Sequence, residues 1–120
     1  MTVTLPTTKT KPTTDLAKQS ILLYGVPKLG KSSFASQFPE AMFFECEPGL
    51  NHLEVFKVPT YSWEAFLEAC KLLAKGDHNF KTLVIDTVDN AFKMCSDYVC
   101  AKHGIEYEGD MGHGKGWALV

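Results

Sequence analysis

Residues 25–33 read GVPKLGKSS and directly follow the apolar run ILLY at residues 21–24. Residues 25–32 fit the pattern G-x-x-x-x-G-K-[ST], in which glycines allow a tight turn whose backbone N–H groups point inward at an anion. The short apolar run predicts a parallel strand buried on both faces. A short helix is predicted over residues 30–38, ended by Pro39. Strand, glycine-containing loop and helix in this order predict a phosphate-binding loop.

The predicted loop assigns a role to each of its residues. Lys31 can reach the β- and γ-phosphates of a nucleotide and contribute to catalysis, and Ser32 can offer its hydroxyl to Mg²⁺. The N-terminal end of the following helix adds partial positive charge to the same anion site. The residues predicted to surround the phosphates are Gly25, Val26, Pro27, Lys28, Leu29, Gly30, Lys31, Ser32 and Ser33.

A second motif is the apolar run TLVI at residues 82–85, which predicts a buried strand ending at Asp86. Ligands of α/β proteins bind outside the carboxyl ends of the strands, and in phosphate-loop enzymes such an aspartate holds Mg²⁺. Two classes fit the neighbouring residues poorly. A GTPase needs glycine at residue 89, which is Asp, and an N-K-x-D motif, which is absent. An AAA-type ATPase usually has glutamate directly after the aspartate, whereas residue 87 is Thr.

Two carboxylates lie at the exit of the strand predicted over residues 42–46, at the same edge of the sheet. Side chains alternate along a strand, so Glu45 and Glu47 are expected to share a face as long as the chain remains extended. A glutamate within one water of the γ-phosphate can orient and deprotonate the attacking water. We therefore predict Glu47 as the catalytic base and Glu45 as a supporting residue.

The remaining pattern predicts an α/β fold. A weaker strand is expected over residues 55–58. Ser62 is a plausible N-cap for a helix with apolar residues at helical spacing that ends at Gly76, and another helix is expected over residues 88–103. Alternating strands and helices predict a three-layer α/β domain with a mostly parallel sheet, of the P-loop NTPase kind.

Net charge, cysteine spacing and the absence of recognisable targeting segments give further indications of the kind of protein. The chain has 120 residues and a net charge of −2, which gives no sign of bulk attraction to nucleic acid. Its four cysteines lack metal-ligand spacing and suggest reduced thiols in a cytoplasmic compartment. No secretory signal or apolar membrane segment is recognisable. Residues 1–18 are expected to be a flexible tail, and residues 19–120 the N-terminal part of a longer ATPase domain.

The stretch FFECEPGL at residues 43–50 and LVIDTV at residues 83–88, together with the phosphate loop, resemble the ATPase core of RecA-type recombinases. The short spacing between these motifs and the segment GHGKGW at residues 112–117 resemble those of core-only, RecA-like phage nucleotide-binding proteins. Those proteins are linked to single-strand annealing and recombination. The resemblance covers residues 20–120. It implies ATP and Mg²⁺ as cofactors and a cytoplasmic location, which is the host cytoplasm if a phage encodes the protein.

The resemblance also carries roles to matching positions. It implies catalytic or metal roles for Lys31, Ser32, Glu47 and Asp86, and a nucleotide contact for Thr87. It implies single-stranded DNA as a partner and a homo-oligomer with ATP between subunits. Residues 109–116 fall where the family has a DNA-binding loop, so His113 and Lys115 could touch a phosphate backbone and Trp117 could stack on a base. A plain flexible loop with Trp117 in the core is the other expectation.

Two other functions remain open from the sequence. In a small-molecule kinase, Glu47 or Asp86 would activate an acceptor for the transferred phosphate. In a non-catalytic switch, the bound nucleotide would control assembly. No residue pattern identifies the base of the nucleotide, so the expectation of ATP depends on the resemblance.

Overall fold

The computed structural model describes residues 2–106, 109 and 115–120, with the Lys115 side chain excepted. Three strands, β1 (Ala41–Glu45), β2 (Phe56–Pro59) and β3 (Thr82–Asp86), form a parallel sheet in the order β2-β1-β3. The helices are α1 (Lys31–Ala35), α2 (Trp63–Ala74), α3 (Val88–His103) and α4 (Lys115–Leu119), besides a short 3-10 helix, Leu16–Lys18. The predicted α/β fold with a parallel sheet is confirmed.

The central strand β1 is covered on both faces. Phe44 lies against α2, where its ring meets Phe66 edge-on with centroids 5.1 Å apart. Phe43, on the opposite face, packs with Ala35 and Leu50. Even-numbered and odd-numbered residues of β1 therefore enter two separate cores, which is why this strand has an almost uninterrupted apolar sequence.

Helices α2 and α3 begin and end at the signals the sequence provides. The hydroxyl of Ser62 accepts a hydrogen bond from the Ala65 N–H, which confirms Ser62 as the N-cap of α2. Gly104 ends α3 in the left-handed conformation with φ 66°, which glycine adopts at little steric cost. Helix α3 buries Ala91 and Cys95 on its inner side.

The strand predicted over residues 21–24 is wrong. These residues lie outside the sheet and are exposed, Leu22 by 71% and Tyr24 by 86%. An apolar run becomes a strand only where a neighbouring strand supplies hydrogen bonds along its edge. Within the described part of the chain, no strand pairs with residues 21–24, so the sheet has three strands where four were expected.

The carboxyl ends of the strands place the polar residues of interest at one edge. In the register of β1 and β3, Glu45 is the partner of Asp86. The first residue after β1, Cys46, donates its N–H to the Asp86 carbonyl at 2.8 Å, which extends the pairing beyond the strands. This edge faces the start of α1, because Ser32 contacts Asp86 there.

Candidate nucleotide-binding site

The loop at residues 25–30 has the tight geometry that its glycines predict. Gly30 has φ 100° and Lys28 has φ 64°, both in the left-handed region. A Cβ atom at Gly25 would lie 2.7 Å from Cδ2 of Leu29, so a larger residue there would displace the Leu29 side chain. The loop therefore needs glycine at residue 30 for its backbone conformation, whereas at Gly25 the exposed Leu29 side chain could move to make space.

Lys31 closes this loop from the inside. Its ammonium donates hydrogen bonds to the carbonyl oxygens of Gly25 at 2.6 Å and Val26 at 2.9 Å. The ammonium is thus held at the mouth of the loop, where an anion would enter. Helix α1 has only five residues, so the positive charge at this place comes from Lys31 and the loop N–H groups rather than from a long helix dipole.

Ser32 and Asp86 meet although they are 54 positions apart in the sequence. The Ser32 hydroxyl donates to Oδ2 of Asp86 at 2.7 Å. A hydroxyl and a carboxylate oxygen are hard donors of the kind that Mg²⁺ prefers, and Mg²⁺ in nucleotide sites takes only one or two protein ligands, the rest being water and phosphate. The pair therefore fits Mg²⁺. In the described part of the chain there is no cluster of three or more His, Cys, Asp or Glu side chains that could hold a metal without a nucleotide.

Thr87 lies at the N-cap position of α3, directly after Asp86. Its hydroxyl accepts a hydrogen bond from the Asn90 side-chain amide at 2.7 Å. A hydrogen bond from Thr87 also lowers the pKa of Asp89. The Thr87 hydroxyl is therefore engaged in the first turn of α3. Asn90 and Asp89 were not predicted as site residues from the sequence, although polar residues that follow a strand-end aspartate are an available signal.

Glu45 and Glu47 have different surroundings, because β1 ends at Glu45 and the chain then turns. Glu45 is 4% exposed, whereas Glu47 is exposed. The expectation that they share a face of one extended strand is therefore not met.

Cys46, one residue before Glu47, is buried at the edge of the sheet that carries Asp86. Burial raises the pKa of the Cys46 thiol against an opposing hydrogen bond with Thr60, and the negative charges of Asp86, Glu47 and Asp89 raise it further.

The Glu45 carboxylate is held by residues that the sequence analysis missed. It accepts hydrogen bonds from the Tyr61 hydroxyl and, at 3.4 Å, from the Lys57 ammonium, which also donates to Asn51 at 2.9 Å. The Tyr61 hydrogen bond, with further contributions from Lys57 and the Leu50 N–H, lowers the pKa of Glu45 against the opposing effect of burial. The bond to Glu45, with some burial, raises the pKa of Tyr61.

These two shifts predict the pH range in which the Glu45–Tyr61 contact stabilises the fold. The lowered native pKa of Glu45 gives stability that is present above its unfolded pKa and lost as pH falls through the native value. The raised native pKa of Tyr61 gives stability that is present below its unfolded pKa and lost as pH rises through the native value. We expect Tyr61→Phe to lower the free energy of unfolding most between about pH 5 and pH 9.

Urea unfolding of wild type and Tyr61→Phe across this pH series checks the expectation. The difference in free energy should shrink below about pH 4 and above about pH 10. A difference that stays constant over the whole range would contradict the charge state inferred for the pair.

The predicted DNA loop is only partly covered by the structure. His113 and the Lys115 side chain lie outside the described residues. Trp117 lies in α4 and is 56% exposed, so the expectation that it belongs to the core is wrong. The carbonyl of Val120, directly after α4, accepts a hydrogen bond from the Cys95 thiol.

Phosphate loop, strand-end aspartate and parallel sheet together define a P-loop NTPase domain. Comparison with known families agrees: residues 17–120 match the family described as AAA domain, and the chain belongs to that family. The chain is also 30% identical over 91 residues to the SPbeta prophage-derived uncharacterized protein YorG of Bacillus subtilis (strain 168). That alignment covers 72% of this chain and 28% of the relative, so the chain spans little more than a quarter of the relative's length. No solved structure gives a significant match.

The family match overturns the expectation drawn from residue 87. Thr87 in place of glutamate predicts a poor fit to an AAA-type ATPase, but the match to an AAA domain includes this position. Residue 87 therefore does not exclude the family, because the glutamate of a water-activating site can be supplied by another strand end. Among the described residues, no helix has the length and apolar character needed to cross a membrane.

Proposed function

We propose that the protein binds and hydrolyses ATP with Mg²⁺, and that it does so as a RecA-like phage protein acting on single-stranded DNA in recombination or annealing. The observation that carries the nucleotide part is the Ser32–Asp86 hydrogen bond, which joins the end of the phosphate loop to the end of β3. The similarity to a prophage-derived protein supports the phage context. The RecA-like part is supported by Glu47, on the segment that leaves β1.

In this proposal the loop N–H groups and Lys31 hold the triphosphate. The Lys31 ammonium would leave the carbonyls of Gly25 and Val26 and turn to the β- and γ-phosphates. Bound through Ser32 and Asp86, Mg²⁺ would neutralise charge developing on the phosphate oxygens. Residues 25–33 are proposed to bind the nucleotide, together with Thr87, which is next to the metal-binding Asp86.

Glu47 would act on the water that attacks the γ-phosphate. The new bond joins the water oxygen to the γ-phosphorus while the bond from that phosphorus to the bridging oxygen of ADP breaks, and Glu47 accepts the proton of the water. Glu47 is exposed and directly follows Cys46, whose N–H bonds the Asp86 carbonyl, so its carboxylate is free to reach such a water. Glu45 is less suited to this role because its carboxylate is buried and engaged by Tyr61 and Lys57.

The proposal includes a homo-oligomer with ATP between subunits. Large apolar side chains are exposed around the phosphate loop, among them Tyr24, Val26 and Leu29. An exposed apolar group of this kind supports a covered surface in the assembled protein.

ATP hydrolysis by the intact protein, measured with and without a single-stranded oligonucleotide at low salt, tests the proposal. We expect DNA to stimulate hydrolysis and the protein to bind the oligonucleotide more weakly as salt increases, because phosphate contacts release counterions. Equal hydrolysis with and without DNA, together with no oligonucleotide binding, would refute the recombination part. Nucleotide-dependent assembly without ADP formation would favour the switch, and ADP formation only with a metabolite acceptor would favour the kinase.

A further inference from the structure

The Glu45 carboxylate connects several parts of the chain. It lies at the end of β1, and its partners are Lys57 of β2 and Tyr61, which follows β2 by two residues. Lys57 also donates to Asn51, on the connection between β1 and β2. The carbonyl of Glu45 accepts the N–H of Thr60 at 2.9 Å, so its backbone is fixed as well.

The segment that carries Glu47 is anchored on both sides of that residue. On one side, Cys46 donates its N–H to the Asp86 carbonyl and its thiol lies 3.4 Å from the Thr60 hydroxyl. On the other side, Leu50 is 2% exposed and packs with Ala35 of α1. Only residues 47–49 between these anchors are exposed, so the place of the Glu47 carboxylate depends on how firmly the anchors are held.

We infer that Glu45 is a positioning residue for Glu47, acting through its contacts with Tyr61 and Lys57; the inference rests on the proposed function. Lys57 donates to both the Glu45 carboxylate and Asn51, the residue after Leu50, so Glu45 links the Leu50 end of the segment to the strand that leads to the Cys46 end. The Tyr61 hydroxyl holds the same carboxylate in place. Glu45 thereby fixes the length and direction of the three-residue span that bears Glu47. Displacement of a catalytic group by about 1 Å can lower a rate about 10²-fold, so such an anchor matters for chemistry rather than for nucleotide affinity.

Tyr61→Phe is the mildest change that separates this role from a purely structural one. It removes one hydroxyl and keeps the ring, which is 52% exposed, so the fold should survive. We expect kcat for ATP hydrolysis by the intact protein to fall about 10- to 100-fold while KM for ATP stays at the wild-type value. Tyr98→Phe, on α3 and away from this network, is the matched control and should leave kcat unchanged.

A double-mutant cycle with Glu47→Gln gives the decisive readout. If Tyr61 and Glu45 act through Glu47, Tyr61→Phe should cause no further loss of the residual hydrolysis in the Glu47→Gln protein. An equal loss in both backgrounds would show a structural role and overturn the inference. Unchanged kcat in Tyr61→Phe would overturn it too.

Hydrogen exchange separates the failure of this inference from the failure of the proposed function. We expect the amides of residues 46–50 to exchange faster in Tyr61→Phe than in wild type or Tyr98→Phe. If the wild-type protein hydrolyses no ATP, the proposed function fails, and faster exchange would still support Glu45 as the anchor of the segment. Unchanged exchange would refute the anchoring itself, whatever the activity.

Discussion

Lys31→Ala is expected to abolish nucleotide turnover and to weaken nucleotide binding about 10- to 100-fold, the range for loss of hydrogen bonds to a charged group. The substitution removes the ammonium that now lies on the Gly25 and Val26 carbonyls at the mouth of the loop. No other ammonium or guanidinium among the described side chains contacts these carbonyls. Hydrolysis should be affected more than binding and fall to the background rate, because the ammonium also stabilises the charge that develops in the transition state.

Isothermal titration with ATP and a steady-state hydrolysis assay measure the two effects separately. Lys71→Ala is the matched control, since Lys71 is an exposed lysine on α2 and its loss changes the net charge equally. Lys71→Ala should bind and hydrolyse ATP as wild type does. Normal affinity and turnover in Lys31→Ala would show that the nucleotide binds elsewhere.

Elements defined by neighbouring residues were predicted well from the sequence. Helix α3 has the predicted bounds of residues 88 and 103 and the predicted end at Gly104. Helix α2 begins after Ser62 as expected, and β3 ends at Asp86 as expected. In each case a cap, a glycine or an apolar periodicity within a few positions decides the boundary, so no tertiary contact has to be known.

Features that depend on distant partners were not predicted. Residues 21–24 have the composition of a buried strand, but a strand requires a neighbour along its edge, and sequence does not reveal which segment would take that place. Trp117 in the core was one of two expectations, and its exposure depends on which segments of the chain pack against α4. The partners of Glu45 are a third case: Tyr61 and Lys57 reach it only because of the register of β1 and β2, in which Glu45 lies opposite Pro59.

The residues of the candidate site show the same difference between what the sequence predicts and what depends on distant partners. The contact between Ser32 and Asp86 was implied by motif logic, because parallel strands and the phosphate loop bring their functional ends to one edge. The separation of Glu45 from Glu47 was not implied, since it depends on where β1 stops. Membership of the AAA family could not be predicted from one position such as Thr87, because the match to an AAA domain depends on residues 17–120 together.

Glu47→Gln is expected to preserve ATP binding while hydrolysis falls by at least about 10²-fold, the lower range for loss of a general base. The substitution keeps the shape of the side chain but removes its ability to accept a proton from water. Because Glu47 is exposed and lies in the segment between β1 and β2, the fold should tolerate the change. Single-turnover hydrolysis at saturating ATP isolates the chemical step from binding and product release.

Two further glutamates make this test selective. Glu68→Gln, on the exposed side of α2, removes an equal charge far from the sheet edge and should hydrolyse ATP normally. Glu45→Gln should lower kcat less than Glu47→Gln. It should also lower the free energy of unfolding, because it removes the buried carboxylate charge that pairs with the Lys57 ammonium. The reverse order, with turnover intact in Glu47→Gln and lost in Glu45→Gln, would make Glu45 the base. Its release from Tyr61 would then have to precede catalysis.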